Sequence, residues 1–488
     1  MHPELETADT DRGALRRVSI DPISRVEGHG KVTLLLDEAD QVREVRLHIV
    51  EFRGFERFVQ GRPYWEMPVI VQRLCGICPV SHHLAASKAL DQVVGARVLT
   101  PAALKLRRLM HTGQMLQSHA LHFFHLSSPD LLFGFDAEIG QRNIVAVLEH
   151  HPDIARKGIL LRKFGQEIIR VTAGKRVHGT GSVPGGVNRS LERDERLALL
   201  AQAPEIIGWS RDALALIRSL HRANPALYDR FASARAHWMS LVDDHGTLDF
   251  YDGSIRVSDP DGSILFDQVP CNDYSTLITE AVKPWSYMKF PYLNALGPDG
   301  GWYRVGPLAR VQNADRMPTP LADAARRDLL EWTGGEPTHA ALAYHWARMI
   351  EMLCAAELIA DLLADPDLES GDLLARGERQ REGIGIIEAP RGTLIHHYRV
   401  DDDDLVTMAN LIVSTTHNNE AMNAAIRDVA REHLNGRAIT EPLLNHIEVA
   451  IRAYDPCLSC ATHALGSMPL EVSLIDADGA LIERRVRD

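Results

Sequence analysis

Four of the six cysteines in this chain fall in two Cys-x-x-Cys pairs, Cys75-Gly-Ile-Cys78 and Cys457-Leu-Ser-Cys460. Four thiols so paired are a donor set for a soft or borderline metal, and it is the thiolate that binds. Zinc ribbons and fingers bring their halves together over a few tens of residues, because they are small local folds. Here more than three hundred residues intervene, which places the joint site at the centre of a large fold. On spacing alone, a structural zinc ion or a dithiol redox couple fits as well as a redox-active metal. The other two cysteines read as inert. Cys354 lies on the helical face of Trp346, Ile350 and Leu358, a core thiol, and Cys271 lies in a loop-like Val-Pro-Cys-Asn-Asp-Tyr.

The elements that must carry these pairs are mainly helical. Residues 32–50 read as a hairpin with a polar turn around Asp37 to Asp40. Pro79 suits a first helical turn directly after Cys78, so the stretch to Val94 reads as a helix stopped by Gly95. A helix N-terminus there favours a thiolate. Pro101 opens a second long helix carrying His111, His119, His122 and His125, of which the last three read as packing or hydrogen-bonding groups rather than ligands. Helical periodicity returns at 191–222 and 338–364. From Thr440 the apolar positions Leu443, Leu444, Ile447, Ile451 and Tyr454 follow helical spacing up to Asp455-Pro456, which delivers Cys457. Asp401 to Asp404 reads as a helix cap, and strand candidates elsewhere are short, without βαβ alternation. The expected class is α+β, mainly helical, with a long helical bundle and small peripheral β elements.

Composition narrows the partners. A net charge of -13 argues against nucleic acid or an anionic membrane surface. No apolar run reaches membrane-spanning length, and the first residues lack a basic and an apolar region of a secretory signal. Six cysteines in 488 residues do not make a disulfide framework, so a cytoplasmic protein with reduced thiols is expected. The glycine-rich Gly179 to Gly186 lacks the Lys-Ser/Thr of a phosphate loop and dinucleotide spacing.

The strings Arg73-Leu-Cys-Gly-Ile-Cys-Pro-Val-Ser-His82 and Asp455-Pro-Cys-Leu-Ser-Cys-Ala-Thr-His463 resemble the two signature motifs of the large, catalytic subunit of nickel–iron hydrogenases. The resemblance continues through other segments between Arg25 and His463. It implies that Cys75, Cys78, Cys457 and Cys460 hold nickel, with Cys78 and Cys460 bridging to an iron that carries carbon monoxide and cyanide. Glu27, in Arg25-Val-Glu-Gly-His29, matches the family's proton-relaying glutamate, a role open to a carboxyl group. Glu56 and His463 match the side-chain ligands of a magnesium ion, with the carbonyl of Asn410 as a third ligand. Arg391, in Glu388-Ala-Pro-Arg-Gly, matches the arginine laid over the metals. Around these, Ser414 matches the hydroxyl that donates to a cyanide, His82 matches a hydrogen-bond partner of a cysteine sulfur, and Asp455 is expected to salt-bridge near Arg391. Many family members have an aspartate where this chain has Ser118, so the carboxylate canopy around the arginine is incomplete.

Within the family, the second motif and Val305-Gly-Pro-Leu-Ala-Arg310 look most like the NAD-reducing soluble branch. That branch implies a small iron–sulfur subunit, flavin-containing diaphorase subunits, metal-insertion chaperones and a maturation protease as partners. Branches using coenzyme F420, NADP or heterodisulfide partners, and regulatory H2 sensors, are the alternatives. A related subunit of respiratory complex I lacks the cysteine pairs and is excluded.

The resemblance also divides the chain into a catalytic domain, 1–463, and a C-terminal extension, 464–488, removed once the metals are in place. The extension reads as a hairpin, with Glu471-Val-Ser-Leu-Ile and Ala480-Leu-Ile-Glu on either side of an Asp-Gly turn. Its loss removes five acidic and three basic residues and moves the net charge from -13 to -11. Intact-mass measurement of active enzyme should find a chain ending at His463, and protein made without nickel should retain Asp488. An active chain that still carries Asp488 would make the extension a permanent part of the fold.

Overall fold

The computed structural model describes residues 16–437, 440–462, 470–475 and 481–487, the last two segments by backbone alone. Three antiparallel strands, β1 (Arg16–Ile20), β2 (Gly30–Leu36) and β3 (Val42–Ile49), form the first sheet, and β2 and β3 are the expected hairpin. The helix after Cys78 is α1 (Pro79–Val93), with Cys78 at the position just before its first turn and making no side-chain cap. Next comes α2 (Pro101–Leu121), started by the Thr100 hydroxyl, which accepts from the Ala103 N–H. It widens into a π-helical turn at His122–Ser127, a deviation often found at functional sites.

Helix α3 (Pro152–Ala173) lies against α2 at very short range. A Cβ added at Gly165 would stand 2.7 Å from the Gly113 carbonyl oxygen, so two glycines set the separation of the helices. With α4 (Ala203–Ala223) and α5 (Ala343–Ala364) they make the helical bundle, whose interior is one continuous apolar core. A second sheet, with strands at His237–Val242, Ser254–Ser258 and Ile264–Val269, packs beside it.

The third sheet was not legible as such. Strands β4 (Glu382–Ala389), β5 (Gly392–Val400) and β6 (Val406–Ile412) pair antiparallel in order. Most of β4 and β5 is buried on both faces, so the period-2 alternation that marks a half-exposed strand is missing. Helix α1 rests directly on β4, where a Cβ at Gly383 or Gly385 would collide with the carbonyls of Ala89 and Ala85. Asp401 to Asp404 caps no helix; it is the β5–β6 turn. The Asp401 carboxylate accepts from the N–H groups of Asp403 and Leu405 at 3.0 and 2.9 Å, because an aspartate serves the free N–H groups of a turn as readily as those of a helix.

After β6 come α6 (Asn419–Leu434) and α7 (Glu441–Ala453), which ends just before Asp455. Two further strands, Leu470–Ile475 and Leu481–Arg487, pair antiparallel, the hairpin expected of the extension; its Asp-Gly turn lies outside the described residues. Among the described residues, no helix is long and apolar enough to cross a membrane.

Candidate metal centre

The two cysteine pairs meet. Cys75 comes from the end of a 3-10 turn, Cys78 from the start of α1, and Cys457 and Cys460 from the segment after α7. Their sulfurs all lie within 4.8 Å of one another. Cys75 Sγ stands 3.0 Å from Cys78 Sγ and 3.2 Å from Cys457 Sγ, and Cys457 Sγ stands 2.8 Å from Cys460 Sγ. All four are at most 5% exposed. Among the described residues this is the one grouping of three or more His, Cys, Asp or Glu side chains able to hold a metal ion.

Main-chain contacts hold the halves together. Glu27 and Cys457 form an isolated bridge, and Leu458 N–H donates to the Glu27 carbonyl at 2.9 Å. Gly28 makes this approach possible: its φ is +82°, and a Cβ there would stand 2.5 Å from the Ser459 nitrogen. The Glu27 carboxylate consequently reaches the site. Its Oε2 accepts from Cys457 Sγ at 2.9 Å and from Ser459 N–H at 3.2 Å, and the Ser459 hydroxyl donates to Oε1. Thr415 supplies a further support, its hydroxyl accepting from Cys457 N–H at 2.9 Å.

Above the sulfurs, Pro390-Arg391 is the two-residue turn between β4 and β5, since Ala389 pairs with Gly392. Arg391 donates through Nε to the Asp455 carbonyl at 2.6 Å and through Nη2 to Asp455 Oδ1 at 3.0 Å. Both oxygens face the arginine because Asp455 is left-handed, φ +55°, a conformation aspartate tolerates. Burial opposes the guanidinium charge, but Asp455, Cys457, Cys78 and Cys75 outweigh it and hold Arg391 fully charged. Ser118, fully buried, reaches Arg391 only at 3.5 Å. His122 and His119 do not ligate: His122 bonds the Arg452 carbonyl at 2.7 Å and His119 bonds Glu351 at 3.0 Å.

The thiols share their protons unequally. Hydrogen bonds from Cys457, Cys460 and Cys75 hold Cys78 well below the ordinary thiol range against its burial, whereas burial pushes Cys457 and Cys460 up. His82 commits Nδ1 to His396 Nε2 at 3.1 Å; its Nε2 has no hydrogen-bond partner within the described protein, although the ring favours the Cys78 thiolate. Ser414 donates to the Gly392 carbonyl at 2.7 Å. It lines a small closed cavity with Cys78, His82, Pro390, Arg391 and Cys457.

Glu56 stands apart from the sulfurs. Its Oε1 accepts from Leu411 N–H at 2.8 Å, which sets it beside Asn410. Burial raises its pKa to about 7, and the Glu280 carboxylate adds to the rise. Glu280 itself bonds Lys289 at 3.1 Å and the Asn410 side chain. Two half-buried carboxylates suit a hard, oxygen-seeking cation. His463 lies outside the described residues; the preceding Thr462 accepts from Arg53 and Gly54 N–H at 3.1 and 3.3 Å, just before Glu56. Sequence reasoning missed Glu280, Thr415, Ser459, His396 and Arg310. Ser459 and Arg310 carried a signal, each by its place inside a motif of the sequence.

A sequence model described as nickel-dependent hydrogenase matches residues 53–137 and 258–463, and a HoxL-like model matches 17–52. The chain belongs to the nickel-dependent hydrogenase family. It is 48% identical to the NAD-reducing hydrogenase HoxS subunit beta of Cupriavidus necator, over 97% of this chain and 100% of that one. Identity to the matching chain of the F420-non-reducing hydrogenase of Methanothermobacter thermautotrophicus is 42%, over 96% and 99% of the two chains. A solved NAD+-reducing NiFe-hydrogenase in the H2-reduced state has a chain that superposes with a TM-score of 0.91 at 61% identity, covering 92% of this chain and 100% of that one. The NiFeSe hydrogenase of Desulfovibrio vulgaris Hildenborough shares the fold, with a TM-score of 0.75 at 23% identity and the same coverage.

In a nickel-dependent hydrogenase the four-sulfur set fits a nickel–iron centre, which the zinc and dithiol readings do not explain. The donors fit: four buried thiols, one already biased to the thiolate, suit soft metal binding. Replacing Cys75 or Cys457 by Ser should abolish nickel loading, because a hydroxyl is a poor soft ligand. Elemental analysis checks it; a variant with full nickel content would remove that sulfur from the centre.

Proposed function

We propose that this hydrogenase is the catalytic subunit of a cytoplasmic enzyme that cleaves H2 reversibly and passes both electrons, through partner subunits, to NAD+. The observation that carries the proton half of this reading is the contact between Glu27 and Cys457 inside the closed sulfur site. Cys75, Cys78, Cys457 and Cys460 would hold the nickel, and Cys78 and Cys460 also the iron. When bound, the centre supplies the heterolysis of H2 and accepts its electrons.

The chain's own residues handle the rest. Cys457 Sγ gives its proton to Glu27 Oε2 across 2.9 Å, and the Ser459 hydroxyl, donating to Glu27 Oε1, holds the carboxylate in place. Arg391 cannot act as a proton carrier near neutral pH; pinned by Asp455, it provides fixed positive charge over the sulfurs. Burial excludes bulk water, which strengthens these interactions. The Glu56, Asn410 and His463 set would hold magnesium and tie the chain beyond Cys460 to β6.

Electrons need another route out. Cys271 and Cys354 are the remaining thiols and lie outside the four-sulfur group, so this chain has no cysteine set for an iron–sulfur cluster. A small iron–sulfur subunit and flavin-containing diaphorase subunits would complete H2 + NAD+ → NADH + H+, the NAD-reducing activity for which two of the relatives are named.

Glu27→Gln should keep nickel and iron content but lower turnover and hydrogen/deuterium exchange by roughly 100- to 10,000-fold, the range of a lost general base; full activity would remove Glu27 from the route. Purifying the native complex tests the acceptor. Iron–sulfur and flavin subunits should co-purify, and H2 should reduce NAD+; an intact complex that reduces coenzyme F420 or NADP but not NAD+ would move the chain to another branch.

A further inference from the structure

Behind Cys78 runs a file of three fully buried side chains that the proton route through Glu27 does not use. His82 Nδ1 lies 3.1 Å from His396 Nε2, and His396 Nδ1 lies 2.7 Å from Tyr398 Oη. His82, His396 and Tyr398 are each 0% exposed. At the inner end, His82 Nε2 is buried with no hydrogen-bond partner among the described residues, and the ring lines the same small cavity as Cys78. With Nδ1 committed to His396, Nε2 is the ring atom left to serve the sulfur side.

The direction of the file follows from proton counting. A neutral imidazole carries one N–H and one lone pair, so a chain of rings must run donor-to-acceptor in a single sense. Tyr398 keeps its proton, since burial and the nearby Glu56 both oppose its ionisation. Among the described residues its hydroxyl is bonded to His396 Nδ1 alone. The hydroxyl therefore donates to His396 Nδ1, His396 Nε2–H donates to His82 Nδ1, and the one proton of His82 is left on Nε2. The opposite sense would leave the tyrosine proton without an acceptor at a fully buried position.

The other sulfurs show why this matters. Cys75 accepts from the backbone N–H of Ile77 and of Cys78, at 3.2 and 3.1 Å, and Cys457 bonds Glu27. Cys78 Sγ stands 3.0 Å from Cys75 Sγ and accepts from no backbone N–H among the described residues. We infer that Tyr398 and His396 are positioning residues that lock His82 in its Nε2–H tautomer, so that this N–H serves the Cys78 sulfur and withdraws electron density from it. The inference rests on Cys78 being a ligand of the nickel–iron centre. Hydrogen bonds to metal-bound sulfur lower its donor strength and raise the reduction potential.

The test uses the purified holoenzyme complex and reads the infrared bands of the iron-bound carbon monoxide and cyanide, with a redox titration of the same bands. Tyr398→Phe removes the starting proton and keeps the ring, so His82 is free to reverse. The expected result is a carbon monoxide band moved to lower wavenumber and a more negative midpoint potential, at unchanged nickel and iron content. Tyr274→Phe is the matched control. It removes a tyrosine bond to His397 Nδ1, 2.9 Å, on the other face of the same strand, and its bands should stay at the wild-type positions. If Tyr398→Phe does not load metal, His396→Met breaks the file one step further in and carries the same expectation. Wild-type band positions and potential in the loaded variant overturn the inference, and so does an equal shift in Tyr274→Phe. Wild-type enzyme with no such bands at all would instead remove the nickel–iron reading beneath it.

Discussion

Four buried sulfurs within one coordination radius are the constraint on which the surrounding structure depends. As thiolates they repel, and burial denies them the water that would screen them. The protein answers by letting the four share protons among themselves, with Cys78 taking the anionic share and Cys457 and Cys460 the protonated one. It then sets a permanent cation, Arg391, against them.

That cation is only as well placed as the turn that carries it. Arg310 clamps the turn from behind, donating to the carbonyls of Ala389 and Pro390 at 2.8 and 3.2 Å and to Glu388 Oε2 at 2.7 Å. Its other edge meets both oxygens of Glu351 at 2.6 Å. Removing one partner of such a buried network typically costs about 3–5 kcal/mol, because a charge is then left unpaired. Nearby, Arg348 is fully buried without a direct carboxylate partner among the described residues, and burial lowers its pKa to about 10. Burial also keeps His119, His122 and His345 neutral. Around the sulfurs three buried arginines, Arg391, Arg310 and Arg348, stand with three carboxylates, Asp455, Glu351 and Glu388, and Ser118 adds no charge to them.

The sulfurs are not equivalent in what faces them. Cys457 meets a carboxylate, whereas Cys78 is backed by the hydrogen-bonded file of His82, His396 and Tyr398. On the proposals above, proton removal and electronic tuning would fall to opposite motifs. Each is built by a different pairing of elements: the Glu27 segment against the chain after α7, and α1 against the β4–β5 sheet.

Donor chemistry was legible in the sequence because it resides in side-chain type and short spacing. Two Cys-x-x-Cys pairs, a proline directly after Cys78, and a helical period ending at Asp455-Pro456 specify which atoms bind and which helix ends present them. The long helices were legible for the same reason, since their apolar faces repeat locally. Strands β4 to β6 were not, because a strand buried on both faces loses its alternation. Nor were the roles of Arg310, Glu280, His396 and Tyr398: each depends on a partner far along the chain, as Arg310 does on Glu388 and His82 on His396. Only the tertiary structure decided those, because a buried hydrogen bond is defined by which surfaces close on each other, and that closure is a property of the whole core.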